Sequence, residues 1–130
     1  MLRIIALLTI SLYSPHPDLQ HTAKVWQSKL RLTGWSISVE VVADKALGGD
    51  SMGDIEWDVA KKQAAIRILR EEDYDLPPAM ARRDQEATLV HELVHLLHAN
   101  DPDAELAVVR QTNALLRANH KWRILAVQDY

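Results

Sequence analysis

Apolar and polar residues change their spacing several times along the chain, and each change marks an element. Residues 4–13 form a nearly unbroken apolar run, which Ser14-Pro15-His16-Pro17 ends because two prolines in three residues hold the backbone extended. Beyond it, Leu19, Ala23, Trp26 and Leu30 recur at three- and four-residue spacing. They predict an amphipathic helix with Asp18 as N-cap and Gly34 as its stop. The period then falls to two: Trp35, Ile37, Val39 and Val41 alternate with Ser36, Ser38 and Glu40, the mark of a half-buried strand. A connector over 43–50 ends in Gly48-Gly49. Two short β-like runs, 53–57 and 63–69, flank the polar turn 58–62 and predict a hairpin with Ile66 and Ile68 on one face.

Residues 70–83 carry charge, Pro77-Pro78 and little periodicity, and read as a loop with at most one helical turn. Helical spacing returns over 84–99 and stops at Asn100. Asp101 as N-cap and Pro102 at the first helical position then predict a last helix through about residue 121. Strands grouped before helices give an α+β fold: a small sheet of three or slightly more strands, antiparallel or mixed, packed on an N-terminal helix, the helix at 84–99 and a C-terminal helix.

A length of 130 residues favours one core and one site, so the chain divides into an apolar segment, 1–17, and a single domain, 18–130. The net charge of −3 offers no electrostatic footprint for nucleic acid. With no cysteine, disulfides, thiolate metal sites and a cysteine nucleophile are excluded, and any metal must be held by His, Asp or Glu. Arg3 followed by the apolar run has the layout of a short secretory signal, with cleavage after Ser11, but is far too short for a membrane span. A cytoplasmic protein is the reading adopted, with secretion the alternative if residues 1–11 act as a signal. Oligomeric state is left open.

The chemistry concentrates at His91-Glu92-Leu93-Val94-His95, an H-E-x-x-H pattern. On a helix the two histidines lie about 40° apart and one turn apart, so both imidazoles reach one ion. Glu92, displaced by about a quarter turn, can approach a metal-bound water without replacing it. This is the arrangement in which zinc lowers the pKa of water and polarises a carbonyl while Glu takes the proton. Shuffling this composition produces the pattern in roughly one sequence in seventy. The setting adds weight, because Leu89, Val90, Leu93, Val94, Leu96 and Leu97 predict a buried helix, where unpartnered His and Glu would be costly.

A third ligand is sought among His98, Asp101, Asp103 and Glu105. If a tight helix hairpin turns near residue 100, Glu105 stands at about the height of His95, so Glu105 is favoured. Asp101 holds the third-ligand position of the metzincin pattern, but that pattern needs glycine where this chain has His98. His98 itself reads best as a solvated helix-end residue. The four tryptophans, Trp26, Trp35, Trp57 and Trp122, read as packing rather than as a substrate platform.

On these residues the chain resembles a minimal zincin metallopeptidase of the gluzincin type, and more closely the small bacterial and phage-encoded metallopeptidases. The resemblance runs over 24–116, through KVWQSKLRLTGWSISVEVV, GDIEWDVAKKQAAIRIL, EEDYD, ATLVHELVHLL and AELAVVRQTNALL. It implies Zn2+ held by His91, His95 and Glu105, Glu92 as general base and a peptide or protein substrate. It also implies that strand 64–69 is the edge strand above the cleft, where extended peptide adds to the sheet; a plain core strand is the competing reading. Tyr74, His98 and His120 are the candidates for stabilising the transition state. The alternatives are a non-catalytic zinc module with a regulatory or phage-related partner, and a metal-dependent hydrolase of a non-peptide bond.

Overall fold

The computed structural model describes residues 19–101 and 103–119. The N-terminal segment 1–17, the Asp18 cap, Pro102, His120 and Trp122 lie outside the described residues. Over the described residues the fold is α+β, with three helices packed on a three-stranded mixed sheet. Its elements in chain order are α1 (Leu19–Lys29), β1 (Ser36–Val42), β2 (Gly53–Asp58), β3 (Gln63–Leu69), α2 (Pro78–Leu97) and α3 (Glu105–Ala118), with single 3-10 turns at Asp44–Leu47 and Glu71–Asp73.

Helix α1 stops earlier than the glycine signal predicts. Arg31 takes a left-handed conformation (φ 58°), and Leu32 N–H reaches back to the Gln27 carbonyl, closing the helix end three residues before Gly34. Leu32 is thereby turned into the core beside Ala23 and Trp26.

The sheet order is β1-β3-β2, with β1 parallel to β3 and β2 antiparallel to it. Strand β3 is therefore central, which corrects the expectation that 64–69 forms the edge above the cleft. Its backbone is paired on both sides, and Ala64, Ile66, Ile68 and Leu69 are buried beneath α2. Among the described residues, the edge beside α2 is β2, which pairs only with β3. The bond from Leu69 N–H to the Met52 carbonyl fixes which groups that edge offers. With the Asp54↔Arg67 and Glu56↔Ala65 register, Gly53, Ile55 and Trp57 fall on the outward-pointing side of the ladder.

Helix α2 begins at Pro78, six residues before the predicted start at Asp84. Pro77-Pro78 is a helix start, because proline at the first helical position lacks only an N–H that would have no partner there, and its fixed φ suits the helix. Buried Gln85 donates to the Leu69 carbonyl at 3.0 Å and ties the helix to the end of β3. Arg82 pairs with Glu71 at 3.1 Å. Further along, Leu89, Val90, Leu93 and Val94 are fully buried against Ile66, Ile68 and Val108.

The last helix begins later than predicted, at Glu105 rather than at Pro102. The Asp101 carboxylate accepts from Asp103 N–H at 3.0 Å, forming a local turn instead of capping a helix. Gly53 lets the sheet come close to α2: a Cβ there would lie 2.6 Å from Thr88 Cγ2 and 2.9 Å from the Arg67 carbonyl oxygen. Gly53→Ala is accordingly expected to destabilise the fold by about 1–3 kcal/mol, because either β2 or α2 must shift. Urea unfolding checks this, with a drop in midpoint at unchanged slope as the expected result.

Candidate metal centre

His91, Glu92 and His95 all sit on the last two turns of α2. Four-residue spacing sets the two imidazoles edge to face, with centroids 5.1 Å apart and planes at 74°. One ligand atom from each of His91, Glu92 and His95 lies within 4.8 Å of the others, so the group could hold a metal ion. Both imidazoles are half-buried, whereas Glu92 is only 6% exposed.

Glu105 reaches this group from the first residue of α3. Its Oε1 stands 3.1 Å from His91 Nε2 and its Oε2 3.2 Å from His95 Nε2. The Glu92 carboxylate is farther from the imidazoles, at 3.9 Å from His95 Nε2. The two carboxylates thus differ: Glu105 bridges both ring nitrogens from the solvent side, and Glu92 stands to one side in the interior. Two ligand atoms each about 2.0–2.2 Å from a tetrahedral ion stand roughly 3.3–3.6 Å apart, so the Glu105–imidazole spacings are within a few tenths of an ångström of a zinc ligand set.

The electrostatics fit a cation. Burial, then the charges of Glu105 and Asp54, push the Glu92 carboxyl up to about 7. Burial also pushes the His95 imidazolium down, against the opposing pull of Glu105, with His91 and His98 adding to the depression. His95 is therefore favoured as a neutral imidazole, the form that coordinates metals. Glu105 and Asp54 thus add to the cost of ionising Glu92, and a positive ion would relieve it.

Trp57 is a neighbour that its place in the strand pattern did not single out. It projects from the edge strand β2, stacks on His95 at 6.1 Å and 23°, and donates from Nε1 to the Ala99 carbonyl at 3.3 Å. The ring holds the second imidazole in place from one flank. Trp26, by contrast, is core, and its Nε1 donates to Glu86 at 2.8 Å.

His98 closes α2 and is held by Gln111 Oε1 at 2.7 Å, a tie between α2 and α3 rather than a solvated end. Tyr74 packs with Leu69 and Ala81 in a second core cluster, and burial pushes its phenol up. Asp101 and Asp103 remain in the exposed turn before α3.

A cleft of about 480 Å3 opens directly beside His91 and Glu92, between α2, α3 and the segment leading into β2. Along the sheet edge, Ser51 Oγ donates to the Gly53 carbonyl at 2.6 Å and accepts from Gly53 N–H at 3.2 Å, filling the first outward position of β2. Compared with known proteins, the chain matches no family model, no curated sequence and no solved structure. Among the described residues, no helix is long and apolar enough to cross a membrane.

Proposed function

We propose that this protein is a zinc-dependent metallopeptidase, a minimal zincin of the gluzincin type, in which His91, His95 and Glu105 hold the metal and Glu92 is the general base. The observation that carries the proposal is the bridging position of Glu105, 3.1 and 3.2 Å from the two imidazole nitrogens, while Glu92 stands back at 3.9 Å. Three protein ligands with a separate buried carboxylate suit a catalytic site; a structural site is normally closed by four. His98, another candidate for a fourth, is held by Gln111.

Zinc, when bound, supplies Lewis acidity and makes water acidic enough to attack at neutral pH. Glu92 takes the proton from the attacking water and returns it to the leaving amine, a task that suits a carboxyl whose pKa lies near 7 before metal is added. An extended peptide would add to the edge of β2 at Ile55 and Trp57, which brings a carbonyl past His95. Trp57 holds His95 in orientation.

Metal analysis of the purified chain tests the ligand set. About one zinc per chain is expected, and His91→Ala and Glu105→Ala should each weaken binding by at least about a hundredfold. Wild-type affinity in Glu105→Ala would overturn the assignment. A chain that binds zinc through four protein atoms and cleaves nothing would point instead to a zinc module with a partner role.

A further inference from the structure

Gly53, Ile55 and Trp57 turn their N–H and C=O groups outward along β2, and the chain itself closes the first of these positions. Ser51 Oγ accepts from Gly53 N–H at 3.2 Å and donates to the Gly53 carbonyl at 2.6 Å, so one hydroxyl fills the place of a paired strand. At the other end the strand stops at Asp58, and the Val59 carbonyl accepts from Lys62 N–H at 3.3 Å in the turn that follows. Between these two stops, the backbone groups of Ile55 and Trp57 have no partner among the described residues.

The opposite edge of the sheet is closed at its middle, where Gln20 of α1 accepts from Val39 N–H at 3.1 Å and donates to the Ile37 carbonyl at 3.3 Å. Side chains thus guard both edges. The window at Ile55 and Trp57 lies beside the metal ligands: Trp57 stacks on His95, and Gly53 lies against Thr88, one turn of α2 before His91 and Glu92.

Resting on the metallopeptidase reading, we infer that Ser51 is a specificity-determining residue, which limits the stretch of substrate read by the sheet edge to about three residues. An extended chain lying antiparallel exchanges a pair of main-chain hydrogen bonds with Ile55 and another with Trp57, through two residues that flank one whose groups point away. A longer substrate that reaches the level of Gly53 finds its N–H and C=O taken. Displacing the Ser51 hydroxyl trades one pair of hydrogen bonds for another and adds nothing to affinity. The substrate class is therefore a short extended segment, such as a chain end or an exposed loop, rather than a strand bound along its length.

The test uses the full-length chain and three end-blocked peptides of alternating threonine and valine: a tripeptide, and the same tripeptide lengthened by two residues at its amino or its carboxyl end. With metal-free wild type followed by backbone amide NMR, all three should shift residues 55 and 57, with affinities within about twofold of one another. In Ser51→Ala one lengthened peptide should bind at least about fivefold tighter than the tripeptide and shift Gly53 as well, because the freed N–H and C=O add a pair of hydrogen bonds. Ser51→Thr keeps the hydroxyl and should behave as wild type. A lengthened peptide already favoured by wild type, no gain in Ser51→Ala, shifts confined to other residues or no binding at all would each overturn the inference. On the zinc-loaded chain kcat/KM should be level with length in wild type and rise at least about fivefold with one extension in Ser51→Ala. Hydrolysis that rises with length equally in both chains would keep the peptidase and overturn the role of Ser51. Length-limited binding with no hydrolysis would support that role and overturn the peptidase.

Discussion

Glu92→Gln is expected to keep zinc at wild-type stoichiometry and to lose peptide hydrolysis by about 10²–10⁴-fold, the range that a positioned general base contributes. The variant isolates one function. Glutamine matches glutamate in shape, so the packing around this buried position is kept, and Glu105 stands closer to the imidazole nitrogens, at 3.1 and 3.2 Å against 3.9 Å. What disappears is the ability to accept and return a proton. Metal content and kcat/KM measured on one preparation check it together. Full activity in Glu92→Gln would remove the proposed base, and loss of zinc would make Glu92 a ligand.

The same substitution should act in the opposite direction on stability. Without metal, Glu92→Gln is expected to stabilise the fold at pH 8 by up to about 3 kcal/mol. The Glu92 carboxyl titrates near 4.5 when exposed and near 7 in the fold. Between those values the folded chain still holds a proton that the unfolded chain has released. Raising the pH through this window therefore favours unfolding, and the penalty is complete above about pH 7. Below pH 4.5 both states are protonated and the two chains should be equally stable. Urea unfolding of wild type and variant at pH 4, 6 and 8 measures the difference. With zinc present the gap should narrow, since a cation offsets the repulsion from Glu105 and Asp54. A stabilisation independent of pH would contradict burial of an ionised Glu92 as its cause.

Much of the site was legible because helical periodicity is a local property. Four-residue spacing alone puts His91 and His95 on one face, and the apolar residues among them announce the buried helix. Glu105 was legible through chain length, since a short connection after an antiparallel turn brings it level with His95. Its exact role in the helix was not. Asp101 forms the same carboxylate-to-backbone bond in a local turn that it would form as a cap, so the sequence does not tell where α3 begins. Pro77-Pro78 is ambiguous for a similar reason: proline both ends helices and opens them.

What local pattern does not carry is strand order. The runs at 53–57 and 63–69 announce a hairpin, yet only the parallel pairing of β1 with β3 makes β3 central and puts β1 and β2 at the two edges of the described sheet. Trp57 on β2, Thr112 on α3 and Asp50 in the connector are far apart in sequence. Their convergence on the neighbourhood of His91, Glu92 and His95 depends on the fold, and no periodicity in the chain signals it.

The most direct measurement is a crystal structure of the zinc-soaked protein with anomalous data at the zinc edge. One peak is predicted between α2 and the start of α3, with His91 Nε2, His95 Nε2 and a Glu105 oxygen each at about 2.0–2.2 Å, and Glu92 outside bonding distance. A peak bound by Glu92 or His98 as a further protein ligand, or no peak at this site, would contradict it.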